Sequence, residues 1–173
     1  MATFTERAVD AVAAFLTDET YGLNGETLPA LRSALGIAEA SLPDILQYES
    51  WYHRAAQASG FPYLSAVVNS TTGESGNNSR MYRADIDLGL VVLDANIAGD
   101  EADTLIAAWR YGDAIKTLFN RRLGAGGQGW TLGGATGVIR ATVESQAVGA
   151  DPTLSVPNVA LVTRVTIVTA EEY

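Results

Sequence analysis

Apolar residues recur at intervals of three and four through 99–123 (GDEADTLIAAWRYGDAIKTLFNRRL), at Ala102, Leu105, Ile106, Trp109, Gly112, Ile115 and Phe119. This period predicts one long amphipathic helix whose apolar face needs something flat to cover. Asp100 can cap its start, Glu101 and Asp103 place negative charge in the first turn, and Arg121 and Arg122 place positive charge in the last, before Gly124 ends it. Immediately upstream the period changes to two. Tyr82, Ala84, Ile86, Leu88, Leu90 and Val92 alternate with Met81, Arg83, Asp85, Asp87, Gly89 and Val91, the pattern of a strand with one strongly apolar side.

The same reading carries along the chain. Phe4–Thr17 carries a helical stripe of Phe4, Ala8, Val12 and Phe15 behind a Thr3-x-x-Glu6 capping box. A turn at TYGLNGET leads to a short helix over Leu28–Leu35, with Thr27 as its cap, Pro29 in its first turn and Gly36 closing it. Ser41–Asp44 can start a further helix carrying Ile45, Tyr48, Trp51 and Tyr52; the same aromatics equally suit a loop pinned to the body. Pro62–Thr72 reads as a strand, and the polar Gly73–Arg80 (GESGNNSR) as a long hairpin tip and candidate partner-contact loop through Glu74, Asn77, Asn78 and Arg80. Thr136–Val148 and Asn158–Thr169 alternate as two closing strands, joined by the proline-containing VGADPTLSVPN. The order α-α-β-β-α-β-β predicts a single α+β domain over 1–173. Its frame is a mostly antiparallel sheet of four strands or slightly more with helices on one face, and 20–60 is a variable connecting region.

Composition narrows the chemistry. The chain has no cysteine and one histidine, His53, which removes thiolate metal sites and cysteine nucleophiles and leaves little imidazole for catalysis. The expectation is a non-enzyme without cofactor or metal. Glu6 and Asp10 stand where a secretion signal would be basic and then apolar, and no apolar run approaches a bilayer span, so a soluble, unprocessed chain is expected; the Asn69 and Asn77 glycosylation patterns then carry no weight. Gly124, Gly126 and Gly129 fit G-x-G-x-x-G, but a helix precedes them and a strand follows, the reverse of a dinucleotide site.

Asp85 and Asp87, two apart on a strand, project from the face opposite the helix-packing one. Paired carboxylates can hold a cation or share acid and base duties, but nothing else in the sequence converges on them. With Arg83, Arg140, Glu144 and Arg164 they make a mixed-charge face suited to contact between copies. The polar side of the long helix, with Glu101, Arg110, Asp113 and Lys116, is a second candidate neighbour contact. Tyr48, Trp51, Tyr52 and His53 can form a stacking platform or serve as core and subunit contact. Arg121 and Arg122 compensate the helix dipole or meet a partner's anion.

With the order of elements in hand, three passages carry a resemblance: FTERAVDAVAAFL; YRADIDLGLVVLDAN running into DEADTLIAAWRYGDAIKTLF; and VALVTRVTIVTAEEY. In spacing and hydrophobicity they resemble the tail-terminator and tail-completion proteins of long-tailed bacteriophages, the lambda U-like family. Residues 20–60 and the 124–137 glycine run depart from a compact member. The resemblance implies a virion protein, assembled in the host cytoplasm, that forms a ring, commonly a hexamer, on the finished tail tube. It would end tube polymerisation and present a joint to the head connector or stopper protein. The formal net charge of −9, from 20 acidic against 11 basic residues, suits a wall that DNA passes without adhering, and leaves no attraction to anionic membranes. Another neck protein, a stopper or head-completion factor, is the alternative within the class. A small enzyme or ligand-binding α+β domain is the alternative outside it.

Overall fold

The computed structural model describes residues 3–75, 79–99, 101–124, 131–132 and 136–172, with side chains described at 3–73, 82–99, 102–120 and 141–168. Three helices, α1 (Phe4–Thr17), α2 (Leu28–Leu35) and α3 (Glu101–Gly124), accompany six strands: β1 (Gln47–Ser50), β2 (Tyr63–Ser75), β3 (Ser79–Leu93), β4 (Thr131–Leu132), β5 (Thr136–Gly149) and β6 (Asn158–Glu172). The sheet order is β1-β2-β3-β6-β5-β4. All neighbours pair antiparallel except β1 with β2. The expected α+β class holds, with short strands added at both edges.

One face of the sheet carries the core. Ala84, Ile86, Leu88, Leu90 and Val92 of β3 join Leu64 and Ala66 of β2 and Leu161, Val165 and Ile167 of β6, and α1 and α3 lie across them. Each wholly buried valine, leucine or isoleucine among them contributes roughly 1.5–3 kcal/mol. The Phe15 and Phe119 rings meet at 5.3 Å between the two helices, and Phe4 stacks on Tyr82 at 4.9 Å to seat the start of α1 on β3. The capping box forms as expected, with the Glu6 amide donating to Thr3 and the Thr3 amide to the Glu6 carboxylate. No helix among the described residues is long and apolar enough to cross a membrane.

Several expectations are corrected. Thr27 makes no side-chain cap, because a π-helical turn (Leu23–Thr27) runs straight into α2 and leaves Thr27 helical rather than extended. Gly36 closes α2 at φ 64° as expected. No helix starts at Ser41–Asp44. The Asn24 carboxamide donates to the Ile45 carbonyl at 2.8 Å and accepts from the Ile45 amide at 2.9 Å, and the Leu46 amide donates to Pro62, so the groups a helix would use are spent on an extended approach to β1. The hairpin tip expected at 73–80 is mostly ladder, since β2 and β3 stay paired as far as Ser75 opposite Arg80. Glu74 and Arg80 therefore belong to strands, and Asn77 and Asn78 lie outside the described residues, as do Asp100 and most of the glycine run.

The phase of α3 is the largest correction. Its buried side is Thr104, Ala107, Ala108, Tyr111, Gly112, Ala114, Ile115, Leu118 and Phe119, whereas Leu105, Ile106 and Trp109 face outward. The cause is close approach at Gly112. A Cβ there would stand 2.8 Å from Gln146 Nε2 and 3.0 Å from Leu161 Cδ2, and the Gln146 amide donates to the Gly112 carbonyl at 2.9 Å and to Thr163 Oγ1 at 3.2 Å. A helix lying this near a sheet presents its small residues to it and turns bulk aside.

Candidate functional site

The face of the sheet opposite the helices is where the sequence placed its charged residues, and the register brings most of them together. Asp87 stands opposite Arg164, and Asp85 opposite Thr166. Arg164 grips Asp87 with two parallel bonds, Nε to Oδ1 at 2.7 Å and Nη2 to Oδ2 at 2.9 Å, and Asn69 Nδ2 donates to Oδ2 at 2.8 Å. Asp85 accepts from Thr166 Oγ1 at 2.6 Å, Ser70 Oγ at 2.9 Å and Arg83 Nε at 3.0 Å. A β-bulge between Val68 and Ser70 brings Asn69 and Ser70 to these neighbouring carboxylates. The Arg164 guanidinium holds the Asp87 carboxyl below its ordinary value. At Asp85 burial pushes upward, and the bonds from Thr166, Ser70 and Arg83 together outweigh it and lower the carboxyl as well. Both groups are ionised and internally matched. Glu144 sits at a second bulge, between Val143 and Ser145, and Arg140 stands opposite Val168 in the register with its side chain outside those described.

A second arrangement lies on the same face and was not anticipated. Trp51, directly after β1, has φ 76°, a strained conformation for a residue with a side chain, and its amide donates to the Ala66 carbonyl at 2.8 Å. The chain then crosses the sheet. His53 lies over Gly89, where an added Cβ would stand 3.0 Å from His53 Nδ1 and 3.0 Å from Ser65 Oγ. His53 Nε2 meets Asp151 Oδ2 at 2.6 Å and Nδ1 meets Ser65 Oγ at 2.8 Å; Ser65 also reaches the Gly89 carbonyl at 3.2 Å. Asp151 is otherwise held by the Thr153 amide and hydroxyl on Oδ1. Burial would raise the Asp151 carboxyl, but Thr153 and His53 outweigh it and lower it. An ionised carboxylate only accepts, so Nε2 carries the proton that joins them.

Serine, histidine and aspartate are bonded in series, as in a hydrolase triad, and the series ties distant segments together. Ser65 is 0% exposed in the middle of a strand, with its hydroxyl between His53 Nδ1 and the Gly89 carbonyl. The tie fastens the segment after β1 to the loop before β6. Its three residues also line a cavity of about 440 Å³, together with Val67, Asp87, Pro152, Ala160 and Val162. Among the described residues no three His, Cys, Asp or Glu side chains gather as metal ligands.

The third feature is the outward side of α3. Leu105, Ile106 and Trp109 are 43%, 45% and 43% exposed, forming a stripe turned away from the sheet. Asp113 and Lys116 continue it toward the C-terminus, both exposed, while Arg110 is half-buried and the Glu101 side chain lies outside those described. Of the aromatic group, Tyr48 packs against the core, Trp51 and Tyr52 are exposed, and Arg54 lies over the Tyr52 ring at 4.3 Å. The one sequence signal for the tie was the solitary His53; its partners lie 12 and 98 residues away. The chain matches no protein-family model and no curated protein.

Proposed function

We propose that this chain is a structural phage protein of the tail-terminator kind: a ring, commonly six copies, that caps the finished tail tube, ends its polymerisation and offers a joint to the head connector or stopper. The observation that carries this reading is the Leu105–Ile106–Trp109 stripe on the outside of the helical layer. Three large apolar side chains on adjacent turns of one helix, outside the core, support a surface completed by another protein. The matched charges of the outer sheet face agree, since a face whose carboxylates are already bound can be covered without stranding a charge. The net charge of −9 per copy suits a channel wall that DNA passes without adhering.

Electron microscopy of the purified protein mixed with polymerising tail tubes tests the reading. The expected result is a ring at one end of tubes whose length is then fixed. Tubes that keep growing with no added density at either end would overturn it.

A further inference from the structure

A ring of identical copies needs two different patches per copy, because a patch that pairs only with itself stops at two. Among the described residues, the stripe on the outside of α3 is a convex apolar patch, and the cavity over Gly89, on the sheet face opposite the helices, is a concave one. We infer that the two are halves of one contact, in which Trp109 of one copy enters the Gly89 cavity of the next. This inference rests on the ring reading and names its joint.

The chemistry of the cavity fits an indole. Its polar end is already satisfied by the bonds among His53, Ser65 and Asp151, so an apolar ring entering there strands nothing. An indole brings one N–H donor that must find an acceptor when buried. Asp87, which lines the cavity, accepts three bonds from Arg164 and Asn69, and an ionised carboxylate has room for about four.

Charge follows the same alignment. Along α3, Asp113 lies roughly 6 Å beyond Trp109 and Lys116 roughly 10 Å beyond it. Along the sheet from Gly89, the Asp87–Arg164 pair lies roughly 7 Å away and Asp85 roughly 14 Å away. Laid together, Asp113 faces the guanidinium of Arg164, and Lys116 extends to Asp85. Both Asp113 and Lys116 are exposed. Because stripe and cavity lie on opposite sides of the sandwich, each copy joined this way presents a fresh stripe and a fresh cavity, and the contact repeats, closing where the rotation between copies sums to one full turn.

Two blocked variants test the joint: Trp109→Glu, which spoils the stripe, and Val162→Arg, which spoils the cavity rim at a residue 42% exposed. Native mass measurement of wild type and of each variant is followed by measurement of their equimolar mixture. The expected result is assembly of wild type, monomer for each variant alone, and dimer that goes no further in the mixture, since one intact stripe and one intact cavity remain. Trp109→Phe keeps the ring and loses the N–H, and should weaken association about tenfold. Should either variant melt below wild type, Ile106→Glu and Ala150→Arg, both at exposed positions, replace them. Wild type that assembles while the mixture stays monomeric, or while the cavity variant assembles normally, overturns the joint and leaves the ring. Wild type that stays monomeric at high concentration and on tail tubes overturns both.

Discussion

Gly89→Ala isolates the tie across the outer face. The new methyl carbon would stand 3.0 Å from both His53 Nδ1 and Ser65 Oγ and 3.3 Å from His53 Cε1, so the imidazole must lift from its two partners. Overpacking of this kind costs about 1–3 kcal/mol. Replacing a strand glycine by alanine offsets about 0.5–1 kcal/mol by reducing the freedom of the unfolded chain. The net expectation is a loss of about 1 kcal/mol, a fall of roughly 2–4 °C in melting temperature for a chain of this size. The background variant His53→Ala removes the imidazole, and Ser65 can then turn its hydroxyl aside. In that background Gly89→Ala should be neutral or stabilising by about 0.5–1 kcal/mol, giving a coupling of about 2 kcal/mol between the two positions. Urea unfolding of the four proteins, at a concentration where the chain is monomeric, measures the cycle. Equal destabilisation by Gly89→Ala in both backgrounds would refute the reasoning, because the cost would then belong to the strand and not to the histidine above it.

Other outcomes follow from single features. Asp85, Asp87 and Asp151 are all lowered in the folded protein, so the stability they contribute is present above the unfolded carboxyl value, about 3.9, and lost as pH falls through their lowered values. Melting temperature should therefore drop below about pH 4, and Asp87→Asn, less stable than wild type at pH 6, should converge with it as pH falls through the lowered Asp87 value. Phe119→Ala, at a 0% exposed position against Phe15, should cost about 3–5 kcal/mol in urea unfolding without changing the far-ultraviolet spectrum of the folded chain. Thr3→Ala removes half the capping box of α1 and should cost about 1 kcal/mol, read as a lower melting temperature.

The elements written in strict period were legible in the sequence. The Tyr82–Val92 alternation needed only its own residues, because an antiparallel strand with one dry face repeats that fact at every second position. The Thr3–Glu6 box was equally local. The side of α3 was not legible, since its sequence holds two apolar stripes that share Gly112, Ile115 and Phe119 and diverge in the first half. Hydrophobicity favoured Leu105, Ile106 and Trp109, while proximity to the sheet selected Ala107, Ala108 and Tyr111. That proximity is set by Gly112 and Gln146, which are 34 residues apart. β1 was hidden for a similar reason. Its residues carry no alternation of their own, and what holds its approach extended is the Asn24 side chain, 21 residues before Ile45. Asp85 and Asp87 were placed on the right face by periodicity alone. Their partners Arg164, Thr166, Ser70 and Asn69 came from register and a bulge, which no single strand encodes.

The peg between Gln146 and Gly112 sets more than a distance. Two rigid layers touching through apolar side chains can slide or tilt by small amounts; a polar bond from a strand to one carbonyl of the helix fixes a pivot. The direction in which α3 points its outer side is thereby tied to the plane of the sheet. In a closed circle of copies every joint repeats the same angular error, and closure requires the steps to sum to one full turn. If copies join in the ring proposed above, a loosened peg, as in Gln146→Ala, gives arcs, spirals and rings of mixed number, although each subunit still folds.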